Sequence, residues 1–222
     1  MPTQSTWHMY RAFAGTGLVC AVLIVVIFQF TAPIITANKT AALNRAVLLV
    51  LSEATYKQAF ELNDAGLFEP TAETRIATNV VYVGYKANGE LAGIAIPAQG
   101  MGYQDNIELL YGYSLSKKAV VGLNILSSRE TPGLGSKIAD DEAFQANFKH
   151  LTIAVSSASL GAETVEVVKA TQRRESWQIN AISGATVSSK AVANILSESI
   201  SYWLPKILRQ QDVFERYEKN RD

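Results

Sequence analysis

The chain has 222 residues, 48% of them hydrophobic and 18% charged, and its 20 Lys and Arg residues balance its 20 Asp and Glu residues. This length allows one domain with an appendage, and the neutral net charge argues against nucleic acid binding, which needs a basic surface. One cysteine and two histidines are too few for an internal disulfide or a Cys/His zinc site. Any chemistry therefore depends on a bound cofactor, on carboxylates or on hydroxyls.

The N-terminal region contains a long uncharged segment. No charged side chain occurs in residues 12–38, and about 20 apolar residues are enough for a helix to cross the hydrocarbon core of a bilayer. We predict a tail over 1–11 and a transmembrane helix over 12–36, with Pro33 close to its end. The competing interpretation is a cleaved signal peptide, which has a shorter apolar region and a small-residue cleavage site.

Residues 37–78 are predicted to form a helical linker region. From Ala41 to Leu62, apolar residues recur three or four positions apart, as they do on one face of a helix. Such a helix joins the membrane segment to a folded domain.

The folded domain is predicted over 79–204, where the apolar pattern changes to that of strands. Residues 80–85 and 91–96 flank a turn with the sequence Asn88-Gly89. Asn-Gly between two β-rich segments is the strongest short-range signal for a hairpin. We therefore expect an antiparallel pair here.

The remaining predicted elements continue this antiparallel arrangement and add helices. We expect strands over 107–113, 119–125 and 164–168, a helix over 140–148 and a last helix from Thr186. Pro205 is expected to bend or break the last helix, and residues 205–222 to form a charged tail that is solvated or faces a partner. Grouped strands with flanking helices indicate the α+β class.

The first motif that suggests chemistry is a Ser-Gly-Ala-Thr sequence just before the last helix. Its glycine allows a ligand to approach the backbone, and the first amides of a helix favour phosphate. Lys190, one turn into the helix, adds a positive charge. The competing interpretation is ordinary helix capping by a hydroxyl. The motif consists of Ser183, Gly184, Ala185 and Thr186.

The second motif is a proline-glycine loop. Its backbone N–H groups and single leucine are suited to packing against a flat aromatic ligand, and the competing interpretation is an ordinary surface turn. Its glutamate is expected either to hydrogen-bond such a ligand or to shape the loop. The motif consists of Glu130, Thr131, Pro132, Gly133, Leu134 and Gly135.

Together with the N-terminal helix, the two motifs resemble the FMN-binding domain of the RnfG and NqrC proteins. These are subunits of the Rnf ferredoxin:NAD oxidoreductase and of the Na⁺-translocating NADH:quinone oxidoreductase. The resemblance covers nearly the whole chain, includes Gly102-Tyr103 followed by Ile107, and is closer to RnfG in total length.

The resemblance implies a transmembrane helix followed by an FMN-binding domain of antiparallel strands with flanking helices. In that family a flavin transferase joins FMN through a phosphoester to the last threonine of Ser-Gly-Ala-Thr, which is Thr186 in this chain. The residues of both motifs and Lys190 are then the cofactor-binding residues, and no metal site is implied. The implied partners are other complex subunits, the transferase and membrane lipid. The domain is expected on the periplasmic side of the inner membrane.

The chain departs from the family pattern at two positions. Asn180 stands three residues before the Ser-Gly-Ala-Thr motif, where the family usually has aspartate, which is suited to helping the transferase activate the threonine. Ser128 stands where the family tends to have histidine, two residues before the loop glutamate.

The leading hypothesis is an electron-carrying subunit of an Rnf-type membrane complex, rather than a catalyst by itself. One alternative is a membrane-anchored flavoprotein or regulator that acts outside such a complex. Another is a scaffold subunit in which Asn180 prevents flavin attachment.

Overall fold

A computed structural model describes residues 6–72, 79–153 and 165–219. The chain divides into two compact units, Met1–Ala41 and Ala42–Asp222. The boundary between them lies within the first helix, α1 (Thr6–Val50).

Helix α1 contains the uncharged segment, and it is the one helix in the described part of the chain that is long and apolar enough to span a bilayer. It begins at Thr6, so the expected tail over 1–11 is helical from that residue. Pro33 lies inside the helix and does not end it. A proline removes one backbone hydrogen bond, and the turns on either side of it keep theirs.

The second unit is built on an antiparallel sheet of seven strands in the order β2-β1-β3-β4-β5-β6-β7. A short parallel pair, β8 and β9, lies apart from this sheet. The strands are β1 (Tyr56–Leu62), β2 (Phe68–Thr71), β3 (Val80–Tyr85), β4 (Leu91–Met101), β5 (Asn106–Ser114), β6 (Ala119–Ser127), β7 (Leu151–Thr152), β8 (Glu166–Val168) and β9 (Gln178–Asn180).

The predicted hairpin is formed by β3 and β4, which pair antiparallel with Val83 opposite Ile94. Gly89 has a φ of +80° in the connecting turn, a conformation that glycine adopts without strain. Strands β5 and β6 continue the meander and extend one or two residues beyond the predicted bounds. The α+β class is confirmed.

The predicted helical linker over 37–78 is wrong after Val50, where α1 ends. Residues 56–62 form strand β1, which pairs with β3 from Tyr56 opposite Tyr85 to Glu61 opposite Val80. Phe60, in the middle of this segment, is buried as part of the sheet and not on the face of a helix. Non-local pairing overrode the local pattern.

Five helices and a 3-10 turn complete the described chain. The predicted helix over 140–148 is divided at Asp141, whose side chain accepts a hydrogen bond from the N–H of Phe144 and thereby begins a new helix. The last predicted helix begins at Thr186, as expected. After α1 come α2 (Lys137–Asp140), α3 (Glu142–Ala146), the 3-10 turn Asn147–His150, α4 (Thr186–Arg209) and α5 (Gln211–Lys219).

The sheet is buried on both faces. On one face, Tyr82 and Leu110 pack with the end of α1, including Leu43 and Val47. On the other face, the core includes α4 and strand residues that alternate with the first set, such as Val83. Helix α4 is therefore fixed by apolar packing along its length, which also fixes the position of its N-terminus.

The predicted solvated tail over 205–222 is wrong for the part that the structure describes. Pro205 lies within α4, which continues to Arg209. In α5, the side chain of Phe214 is 0% exposed and makes an edge-to-face contact with Phe60 at 5.1 Å between ring centroids. The hydroxyl of Tyr85 donates a 2.8 Å hydrogen bond to the carbonyl of Phe214.

Candidate functional site

Residues of both motifs line one cleft of about 410 Å³, a volume within the range of small-molecule and cofactor sites. Tyr103 and Val187 line it as well, although neither belongs to a motif. Gly133, Ser183 and Lys190 do not line the cleft. The motif residues that do are Glu130, Thr131, Leu134, Gly135, Gly184, Ala185 and Thr186, together with Ser188 one turn into α4.

The start of α4 carries no side-chain cap. The N-cap residue is Ala185, which has no hydroxyl, and no side chain hydrogen-bonds to the cap. The capping interpretation of the Ser-Gly-Ala-Thr motif is therefore wrong. Gly184 has a φ of +84° in the turn that leads into the helix. The first amides of α4 are left without an intrahelical or side-chain partner, and such amides attract anions.

The three hydroxyls at the start of α4 have different environments. The hydroxyl of Ser189 accepts from the N–H of Ile182 at 3.1 Å and donates to the carbonyl of Ala185 at 2.9 Å. The hydroxyl of Ser188 donates to the carboxylate of Glu130. Both serines are buried, whereas Thr186 is exposed in the cleft lining. Thr186 thus presents the accessible nucleophilic oxygen of the three.

Glu130 is a carboxylate that is only 4% exposed and holds two other segments in place. Its Oε1 accepts a 2.9 Å hydrogen bond from the N–H of Gln104, and its Oε2 accepts from Ser188. Burial raises the pKa of Glu130, but the hydrogen bonds from Ser188 and from backbone N–H groups outweigh it and keep the pKa below its usual value. The residue shapes the cleft as an ionised acceptor.

The proline-glycine loop is held by its own hydrogen bonds. The N–H of Gly133, which has a φ of +75°, donates to the hydroxyl of Ser136 at 3.0 Å. The hydroxyl of Thr131 donates to the side-chain carbonyl of Gln104 at 3.2 Å. A β-carbon at Gly135 would lie 2.6 Å from Oε2 of Glu130. The loop is therefore an ordered wall of the cleft and not an independent surface turn.

Three apolar side chains are exposed around the cleft. Tyr103 is 68% exposed, Leu134 50% and Val187 55%. Leu134 lies beside Gly184, because a β-carbon there would be 3.7 Å from the leucine Cδ2. Such a group of solvated apolar side chains in a ligand-sized cleft indicates a surface for a flat apolar group.

The two positions that depart from the family pattern have structural roles. The side-chain oxygen of Asn180 accepts a 2.8 Å hydrogen bond from the N–H of Arg173. The side chain of Asn147 pairs with the backbone of Asn180, accepting from its N–H at 3.0 Å and donating to its carbonyl at 3.3 Å. The hydroxyl of Ser128 accepts from the N–H of Glu130 at 3.2 Å.

The sequence analysis did not identify the side chains that complete these contacts. Gln104 and Asn147 have no motif around them, and their roles depend on residues far away in the chain. Tyr103 had a signal, since it follows Gly102 in a stretch that resembles the family. Val187 directly follows Thr186 at the start of α4, where every second or third side chain faces away from the core.

A model of the FMN-binding domain family matches residues 102–201, which include both motifs. Among curated proteins, an RnfG-type component of the ion-translocating oxidoreductase complex of Methanosarcina acetivorans is 30% identical to the chain over 165 residues, 71% of this chain and 80% of that protein. The like component of the proton-translocating ferredoxin:NAD(+) oxidoreductase complex of Clostridium ljungdahlii is 28% identical over 197 residues, 89% of this chain and 91% of that protein.

The fold also has a counterpart among solved structures. The crystal structure of NqrC from Shewanella oneidensis matches with a TM-score of 0.60 and 16% sequence identity, and the match covers 82% of this chain and 99% of that chain. At this identity the match establishes the fold.

Proposed function

Because the chain belongs to the RnfG family, whose members are components of ion-translocating oxidoreductase complexes, and contains the FMN-binding domain, we propose that it is an electron-carrying subunit of such a complex. Its relatives include components of ferredoxin:NAD(+) oxidoreductase complexes. The proposal gives the chain an electron donor and an acceptor among the other subunits, so it is not a catalyst by itself.

The residues of the cleft fit FMN. The uncapped start of α4 offers amides to a phosphate, and Gly184 leaves space for it, since a β-carbon there would meet only Leu134. The exposed side chains of Tyr103 and Val187 provide apolar surface for the ring system. When bound, FMN supplies the one- and two-electron redox chemistry, and the protein positions it.

We propose that FMN is attached to Thr186 by a phosphoester, formed by a flavin transferase between the threonine Oγ and the phosphorus. The observation that carries this proposal is the exposed hydroxyl of Thr186 in the cleft, next to serine hydroxyls that are already hydrogen-bonded. Ser183, Gly184 and Ala185 position the turn before it. Lys190, one turn along α4, adds positive charge to this end of the helix.

The test of attachment is a denaturing gel of the full-length protein viewed under ultraviolet light, because a covalent flavin stays with the unfolded chain. The peptide that contains Thr186 is expected to be heavier by the mass of FMN less one water. That mass on Ser183, Ser188 or Ser189 contradicts the assignment to Thr186. Its complete absence in cells that contain the transferase favours the scaffold alternative.

We propose that helix α1 anchors the chain in the inner membrane, with the domain on the periplasmic side. Support comes from the uncharged residues 12–38, which form part of a continuous helix, and from relatives that are named as components of ion-translocating complexes. The protein is expected to stay in the membrane fraction after a carbonate wash and to be cleaved by protease added to the periplasm. Release by carbonate, or a mature N-terminus within 36–39, contradicts the anchor.

A further inference from the structure

Helix α1 carries a side-chain amide deep in its uncharged segment. Gln29 lies four residues from Val25, the midpoint of residues 12–38. At 1.5 Å per residue this is about 6 Å along the helix axis. The amide therefore lies inside a hydrocarbon core about 30 Å thick, at a depth that a glutamine side chain cannot leave to reach water.

The helix satisfies its hydroxyl groups internally but not this amide. The hydroxyls of Thr16, Thr31 and Thr36 each donate to the carbonyl four residues earlier, all at 2.9 Å. No hydrogen bond joins the side chain of Gln29 to any other described residue. Its N–H and C=O groups therefore need partners from another molecule, because lipid tails offer none.

A second unsatisfied group lies at the same level. Pro33 lies within the helix and has no N–H, so it cannot donate to the backbone carbonyl of Gln29 four residues earlier. The side chain of Gln29 lies on the same face as Pro33, since residues four apart are neighbours on a helix. One face of the helix thus combines a free carboxamide with a carbonyl that lacks its usual donor. Val22 and Val26, seven and three residues earlier, extend this face.

We propose that this face of α1 packs against a transmembrane helix of another subunit, which presents a polar side chain to Gln29 at that depth. The required chemistry is a hydrogen-bond donor for the free carbonyl and a donor or acceptor for the carboxamide, as a Ser, Thr, Asn or Gln side chain supplies. Polar contacts of this kind hold transmembrane helices together. The inference rests on the proposed membership in a complex, which provides such a partner.

The first test compares full-length variants in the native membrane complex, isolated through a tag on this chain at increasing detergent. Gln29→Leu keeps the helix apolar but removes the amide, and we expect about a threefold to tenfold loss of the co-purified subunits. Ile27→Leu, on the opposite face, is the matched control and is expected to behave as wild type. Gln29→Asn retains a carboxamide and is expected to restore part of the association. Equal recovery with Gln29→Leu and wild type overturns the proposal.

The second test identifies the neighbour directly. A photoreactive phenylalanine analogue at position 26, on the Gln29 face, is expected to cross-link another subunit, and the same analogue at position 27 is expected to label that neighbour much less. Cross-linking from position 26 to a second copy of this chain, or only to lipid, overturns the proposal. If the wild-type chain recovers no other subunit at any detergent concentration, the proposed function fails instead, so the two failures are distinguishable.

Discussion

The hydroxyl of Ser188 donates a hydrogen bond to the carboxylate of Glu130, 58 residues earlier in the chain. This contact joins the two motifs, because Ser188 lies in the first turn of α4 and Glu130 begins the proline-glycine loop. The same carboxylate accepts from the N–H of Gln104, between β4 and β5. A single buried group therefore holds three walls of the cleft together.

The first prediction concerns the pH dependence of stability. The pKa of Glu130 in the folded protein lies below its ordinary value of 4.5, so its ionised form stabilises the fold above that pH. This contribution is lost as the pH falls through the folded-state pKa. We expect the stability of the wild type to decrease more steeply than that of Glu130→Gln between about pH 6 and about pH 3. Thermal unfolding across this range measures the difference, and parallel curves contradict it.

The second prediction concerns the hydroxyl that carries FMN. Thr186→Ala is expected to abolish in-gel flavin fluorescence and to change the free energy of unfolding by less than about 0.5 kcal/mol, because no cap is lost. Ser189→Ala is the matched control. It is expected to keep the fluorescence and to lose about 1 kcal/mol, because its hydroxyl joins Ile182 to Ala185. Thr186→Ser is expected to be labelled in part, since it retains the nucleophilic oxygen.

The third prediction separates the two glycines of the loop. Gly135→Ala places a β-carbon 2.6 Å from Oε2 of Glu130 and 2.7 Å from the hydroxyl of Ser188. We expect it to displace that contact, to lower stability by about 1–3 kcal/mol and to alter the flavin absorbance. Gly133 has open space around it and a φ of +75°, which asparagine tolerates. Gly133→Asn is therefore expected to preserve both fold and spectrum, whereas Gly133→Val strains the backbone and perturbs the spectrum.

The fourth prediction concerns Asn180. Its side-chain oxygen accepts from the N–H of Arg173, and aspartate offers the same acceptor. Asn180→Asp is expected to leave stability unchanged, and Asn180→Leu to lower it by about 1–3 kcal/mol, because the Arg173 N–H loses its partner. Flavin labelling of Asn180→Asp then isolates the effect of the carboxylate on the transferase. Labelling that rises strongly above wild type shows that charge at this position assists attachment.

The fifth prediction concerns the C-terminal helix. Phe214→Ala is expected to destabilise the domain by about 3–5 kcal/mol, because the ring is fully buried against Phe60 and Phe68. Arg216→Ala, whose side chain is 77% exposed in the same helix, is the control and is expected to be neutral. Urea unfolding of both variants measures the effect. Equal stability of the two variants indicates that α5 does not contribute to the core.

The local features of the fold followed from the sequence alone. The uncharged residues 12–38, the Asn88-Gly89 turn and the start of the last helix at Thr186 are properties of neighbouring residues, and the structure has all three. Both motifs were visible for the same reason. Their spacing and residue types are read directly from the chain, as is the resemblance that they carry.

Only the tertiary structure decided what depends on distant partners. Residues 56–62 became a strand because β3 pairs with them, and Phe214 entered the core because Phe60 and Tyr85 receive it, with 129 residues between Phe214 and Tyr85. The difference between the hydroxyls of Thr186 and Ser188 likewise depends on Glu130. Hydrogen bonds and burial between residues far apart in the chain leave no periodic signal in the sequence, so they appear only when the chain is folded.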